Sequence, residues 1–136
     1  MWKNVEHIGI AVKDLTHVNE VYTKLFGQAP YKMESVESEQ VDTSFFKIGN
    51  TKIEFLSANG DESAIAKFIE KRGEGIHHIA FEVEDIHHEL KRLQEDGFQF
   101  TRPEVFKGAD NKLVCFVHPK SANGVLVELC QEIKSH

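Results

Sequence analysis

Two histidines and two glutamates recur in this chain at spacings that suit one shared piece of chemistry. His7 lies in EHIGIAVKDL (6–15), and His78 lies in HHIAFEVEDI (77–86), a segment that reads almost the same. Glu54 in KIEFL and Glu128 in VLVELC follow at nearly equal distances, 47 and 50 residues (54 − 7 and 128 − 78). A carboxylate in an apolar strand is costly to bury without a partner, and a bound cation removes that cost. Two imidazoles and two carboxylates make a mixed nitrogen and oxygen donor set suited to a divalent first-row metal. Four protein ligands on a six-coordinate ion leave two positions for water or a chelating substrate. A lone histidine on a strand is usually structural. A histidine and a glutamate repeated together at matching places favour a metal site with His7, Glu54, His78 and Glu128 as ligands.

The elements that must carry these side chains repeat as well. Ile8, Ile10 and Val12 alternate with His7, Gly9 and Ala11, and Ile79, Phe81 and Val83 alternate with His78, Ala80 and Glu82. That period of two predicts a strand in each copy, its bulky face for a helix and its smaller face beside the histidine. Asp14 then caps a helix with Leu15, Val18, Tyr22, Leu25 and Phe26 as its stripe and Gly27 at its end. Asp85, the stripe Ile86, Leu90 and Leu93, and Gly97 do the same in the second copy, 71 residues on (78 − 7).

Strand-like segments follow near 30–37, 42–48 and 51–56, with a Gly49-Asn50 turn before the last. In the second half they are FQF (98–100), LVCFV (113–117) and VLVELC (125–130), with HPKSANG (118–124) as the turn. Each half therefore reads β-α-β-β-β. Module one covers about 3–57 and module two about 75–132. A connecting helix at 61–72 presents Ile65, Phe68 and Ile69 and ends at Gly73. ESVESEQ (34–40) and FKGADNK (106–112) read as mobile loops. His77 falls on the strand face opposite His78 and is expected to pack; His17, His87 and His88 read as helix-surface residues.

Composition narrows the class. The 136 residues are 40% hydrophobic and 28% charged, ordinary for a soluble globular protein of one domain. The net charge of −6, without a basic block, argues against nucleic acid or an anionic membrane as partner. No apolar run approaches a membrane span, and the N-terminus lacks a signal-peptide pattern, so a cytoplasmic setting is expected. Cys115 and Cys130 sit in apolar runs and read as small core residues.

HIGIAVKDL, GNTKIEFL, GEGIHHIAFEVEDI and HPKSANGVLVEL together resemble the vicinal oxygen chelate superfamily, over essentially the whole chain. Within it the chain is most similar to the methylmalonyl-CoA epimerases. The resemblance implies an α+β fold: two paired βαβββ modules forming a curved, barrel-like sheet cleft with outer helices, in a single domain. It implies a homodimer, an acyl-CoA substrate, and one divalent metal ion per chain, Co²⁺ or Mn²⁺ first, with Ni²⁺ and Zn²⁺ also compatible. His7, Glu54, His78 and Glu128 match the ligand positions, and several epimerases carry glutamine where Glu54 stands. The turn at His118, Pro119 and Lys120 matches a segment near substrate, and Lys107, Lys112 and Lys120 become candidates for the substrate carboxylate or the CoA phosphates.

The implied reaction removes the C2 proton of methylmalonyl-CoA and returns one to the other face through a metal-stabilised enolate, with Glu128 as one acid/base. Some epimerases hold a second acid/base glutamate on the strand before the Gly-Asn turn; here Thr43, a poor base, occupies that position and joins His118 and the three lysines as a substrate-binding candidate. Asp42 is adjacent but faces the other way unless the strand bulges. The rival within the superfamily is glyoxalase I, lactoylglutathione lyase, which also uses His/Glu/His/Glu ligands. It tends toward a DPDG-type turn rather than HPKSANG. An iron dioxygenase needs no Glu54. A non-catalytic small-molecule binder of the same fold usually lacks the quartet.

Overall fold

In the computed structural model, residues 1–134 are described. They form two compact units, His7–His77, and Met1–Glu6 together with the described residues from His78 onward. The class is α+β, as expected. Strand β1 (Trp2–Ala11) leads into helix α1 (Leu15–Phe26), then β2 (Lys32–Val36), β3 (Val41–Ile48), β4 (Thr51–Ala58) and helix α2 (Ala64–Arg72). The second copy runs β5 (Gly75–Val83), helix α3 (Ile86–Glu95), β6 (Phe106–Lys107), β7 (Lys112–Val117) and β8 (Val127–Glu132).

The unit His7–His77 has strand order β2-β3-β4-β1. β1 and β4 are parallel, and the other pairs are antiparallel. Asp14 caps α1 by accepting from the His17 N–H at 3.1 Å, and Gly27, at φ 73°, donates its N–H to the Thr23 carbonyl. Only a residue at ease in the left-handed region closes a helix this way. The stripe Leu15, Val18, Tyr22 and Phe26 lies on Ile10, Val12, Phe46, Ile53 and Phe55. Tyr22 meets Phe55 at 4.5 Å between ring centroids, and Phe46 meets Phe55 edge-on at 5.8 Å. Full burial of a side chain such as Phe46 or Phe55 contributes ~1.5–3 kcal/mol, and the partly buried stripe of α1 gains a share of that by packing on them.

The opposite face of the same sheet carries His7, Gly9 and Ala11, aligned in register with Lys52, Glu54 and Leu56. Helix α2, capped by the Ser63 hydroxyl accepting from Ile65 N–H, packs Ile65, Phe68 and Ile69 on Ala11, Val41 and Leu56. It therefore covers one end of that face. His7 and Glu54 lie further along it.

In the other unit the order is β5-β8-β7-β6, with β5 and β8 parallel. Asp85 caps α3 by accepting from the His88 N–H at 3.1 Å. Ile86, Leu90 and Leu93 pack on Val83, Cys115, Val117 and Leu129. The face away from α3 holds Ala80, Val114 and Cys130, with Phe106 and Phe116 against them.

Helix α3 ends at Glu95 with Asp96 as its cap, and Gly97, at φ 91°, closes it as expected, with the Phe98 N–H donating to the Leu93 carbonyl at 2.9 Å. Three local expectations are revised. FQF supplies only an isolated bridge, Phe100 to Val117, and the strand lies instead in FKGADNK. Asp110 and Asn111 adopt φ 58° and 55°, and Gly108 donates its N–H to the Lys112 carbonyl at 2.9 Å, closing a tight hairpin. Asp and Asn tolerate the left-handed region that such a turn needs, so polar residues here make a turn rather than a loose loop. ESVESEQ likewise ends β2 and forms a short 3-10 turn, Glu37–Glu39.

Candidate metal and active site

Each unit brings together its own histidine and glutamate. In His7–His77, Nδ1 of His7 lies 3.2 Å from Oε2 of Glu54. The parallel register of β1 and β4 sets this, since Gly9 is directly opposite Glu54 and lets His7 lean in diagonally. In the other unit, Nε2 of His78 lies 3.2 Å from Oε1 of Glu128. There Ala80 stands opposite Glu128, and the His78 ring meets Phe116 edge-on at 5.8 Å between centroids. The four side chains are 4–6% exposed. Water supplies little of their solvation, so their charge must be met from within the protein or by a ligand.

The donor chemistry fits a metal ion. His7, His78 and Glu128 are buried groups that each offer a ligating atom, and Glu54 offers another. Glu6 does too, and sequence reasoning missed it. Glu6 is buried in β1 and lies 3.9 Å from Nζ of Lys112. Its only sequence signal is its place in the repeat, immediately before the histidine, where the second copy has His77.

The remaining candidates fall in distinct places. Thr43 is in β3, 1% exposed, on the face of His7 and Glu54, and its Oγ1 has no hydrogen-bond partner among the described residues. Lys112 is not a loop lysine: it begins β7 and is buried against Glu6. Lys107 and Lys120 are exposed. His118 caps the 3-10 turn Pro119–Ser121, its Nδ1 accepting from the Lys120 N–H at 3.1 Å. Asp42 lies on the opposite face of β3, beside Ser35 and Asn59. The β3–β4 register runs unbroken from Val41 to Ile48, so no bulge turns Asp42 around.

His77 packs edge-on against Phe68 at 4.9 Å, and His17, His87 and His88 are exposed, as the pattern suggested. Both cysteines are free and buried. Burial, with the Glu128 carboxylate adding to it, pushes the Cys115 thiol up to about 12 and moves Cys130 in the same direction. Neither is a thiolate near neutrality, so neither is a nucleophile. Among the described residues no helix is long and apolar enough to cross a membrane.

Comparison with known proteins agrees with this geometry. The chain is 41% identical over 126 residues to a mitochondrial methylmalonyl-CoA epimerase of Dictyostelium discoideum, covering 92% of this chain and 76% of that one. It is 40% identical over 131 residues to an ethylmalonyl-CoA/methylmalonyl-CoA epimerase of Cereibacter sphaeroides, covering 93% and 96%. A solved methylmalonyl-CoA epimerase, in complex with methylmalonyl-CoA and ammonium, superposes with a TM-score of 0.92 at 30% identity, covering 97% and 96%. The family model for the glyoxalase/bleomycin resistance protein/dioxygenase superfamily matches residues 6–116, and the chain belongs to that superfamily.

Proposed function

We propose that this chain is an isomerase that inverts C2 of a carboxylated acyl-CoA, methylmalonyl-CoA first. The observation that carries the reading is the pair of buried His–Glu contacts, one in each βαβββ copy, in a chain that has named epimerases among its relatives. His7, Glu54, His78 and Glu128 are assigned as ligands of one divalent ion in a single domain built from both copies. When bound, that ion supplies positive charge that steadies a developing enolate oxygen.

The chain's own residues supply the rest. Glu128 is assigned the proton step on one face only: its carboxylate takes the C2 proton of one epimer there, and gives a proton there in the reverse direction. Ala80 and Gly9 are the residues opposite Glu128 and Glu54, and their small size keeps space beside both carboxylates. Phe116, Phe106, Val114 and Cys130 give the Glu128 side an apolar surround, which limits hydration of the carboxylate and favours its taking a proton. Inversion needs a proton delivered to the second face, and Asp42 is turned away from it. The substrate contacts assigned to Lys107, Lys112, His118 and Lys120, the choice of Co²⁺ or Mn²⁺, the homodimer and the cytoplasmic setting belong to the same reading.

The test is hydrogen exchange at C2. Metal-loaded protein is incubated with one epimer of methylmalonyl-CoA in D₂O, and deuterium and configuration are followed together. Metal-dependent exchange with inversion is expected. No exchange sinks the reading, and the methylglyoxal–glutathione hemithioacetal becomes the next substrate to try.

A further inference from the structure

Two neighbouring hydroxyls of β3 are buried with no hydrogen-bond partner among the described residues, Thr43 Oγ1 and Ser44 Oγ. Buried polar groups are normally paired, and an orphan asks for an explanation. Consecutive strand residues face opposite ways, so the two cannot share one. Ser44 is aligned with Phe55, on the face covered by α1. Thr43 is aligned with Leu56 and stands two positions from Phe45, which is aligned with Glu54. Thr43 is thus the diagonal neighbour of Glu54 on the site face, about 7–8 Å away between Cα atoms.

The second copy supplies a control written into the chain. Phe116 is aligned with Glu128 as Phe45 is with Glu54, and Cys130 follows Glu128 as Leu56 follows Glu54. The position matching Thr43 is therefore Val114, buried in the apolar cluster of Ala80 and Cys130. Valine and threonine have nearly the same shape. What differs between the copies at this position is a hydroxyl.

We propose that Thr43 is a positioning residue whose hydroxyl hydrogen-bonds the acyl portion of the bound acyl-CoA on the Glu54 side of the site. The inference rests on the isomerase reading and deepens it. A threonine hydroxyl carries no charge and keeps its proton near neutrality, so it orients the substrate and leaves proton transfer to other groups. It is shut off from bulk water, so a bond to substrate there displaces no hydration. A neighbouring side chain must turn aside to admit the ligand. Because Thr43 is β-branched, its hydroxyl has few rotamers to lose.

Four proteins decide it: the unaltered chain, Thr43→Val, Thr43→Ser and Ser44→Ala, all metal-loaded and assayed for epimerisation and metal content. Thr43→Val is expected to raise KM for methylmalonyl-CoA about 3–10-fold, the range of one lost hydrogen bond, with metal content unchanged. Thr43→Ser returns KM to within about twofold of the unaltered chain, and Ser44→Ala leaves it unchanged. A Thr43→Val protein with unaltered KM overturns the inference while the isomerase reading stands. So does an equal KM shift in Ser44→Ala, or a shift that follows metal loss. An unaltered chain that neither exchanges nor inverts C2 removes the isomerase reading, and the inference goes with it.

Discussion

The strands around Glu54 and those around Glu128 follow one plan with different surroundings. Both glutamates face a small residue on one side and a phenylalanine on the other, and both contact a histidine at 3.2 Å. Beyond that the copies diverge. The first has Thr43 and Leu56, with α2 packed over the end of the face. The second has Val114 and Cys130, and its further charge is a buried Glu6–Lys112 pair. The helices behind them differ as well. No residue of α1 is fully buried, whereas α3 buries Ile86, Glu89, Leu90 and Leu93. The duplicated framework keeps one His–Glu contact in each copy, while the positions around it have diverged.

The largest expected effect treats the two copies as equals. His7→Ala and His78→Ala should each abolish metal retention and turnover, read by metal analysis and C2 exchange. Full activity with metal bound in either one would show that the pairs are not joint ligands. The next change separates the copies. Glu128→Gln should lower kcat about 10²–10⁴-fold with metal kept, because the amide oxygen still coordinates but the amide takes no proton. The matched Glu54→Gln should lower kcat less than about tenfold, as its assigned role is coordination alone. Equal losses would erase the functional difference between the two glutamates.

Smaller effects sharpen the contrast in stability. Lys112→Met removes a cation beside the buried Glu6 and should destabilise the chain by roughly 1–3 kcal/mol in urea unfolding. Adding Glu6→Gln should recover much of that, and no recovery would mean the pair does not couple. The smallest concerns α3. The Arg92 hydrogen bond, with help from the Trp2 indole N–H, holds the Glu89 carboxyl below its usual 4.5. A depressed carboxyl contributes stability that is complete above the unfolded value and is lost as pH falls through the folded one. Glu89→Gln should therefore flatten the acid side of the stability profile below about pH 4.5 and change its slope little near neutrality.

Much of this was legible in the sequence because it is local. Capping aspartates, helical stripes, the Gly27 stop and the His–Glu spacing all report on near neighbours. The β6 strand was not legible: two residues, Phe106 and Lys107, gain strand character only from pairing with β7. Lys112 read as a loop lysine because its turn is polar, and its burial depends on Glu6, over a hundred positions away in the chain. The orphaned state of the Thr43 hydroxyl could not be read either, since it depends on what three strands leave unpaired.

One detail at the start of the chain equips the molecule with its own optical labels. Trp2, the single tryptophan, lies against Phe81 at 5.2 Å and donates its indole N–H to Glu89, all within the unit of Met1–Glu6 and His78 onward. Both tyrosines, Tyr22 and Tyr31, belong to His7–His77. Each unit thus carries a separate chromophore without any engineering. Tryptophan emission follows the unit with Glu128, and tyrosine absorbance follows the unit with Glu54. Superimposable melting curves from the two signals would mean the copies unfold as one cooperative body, and separated curves would give each copy a stability of its own.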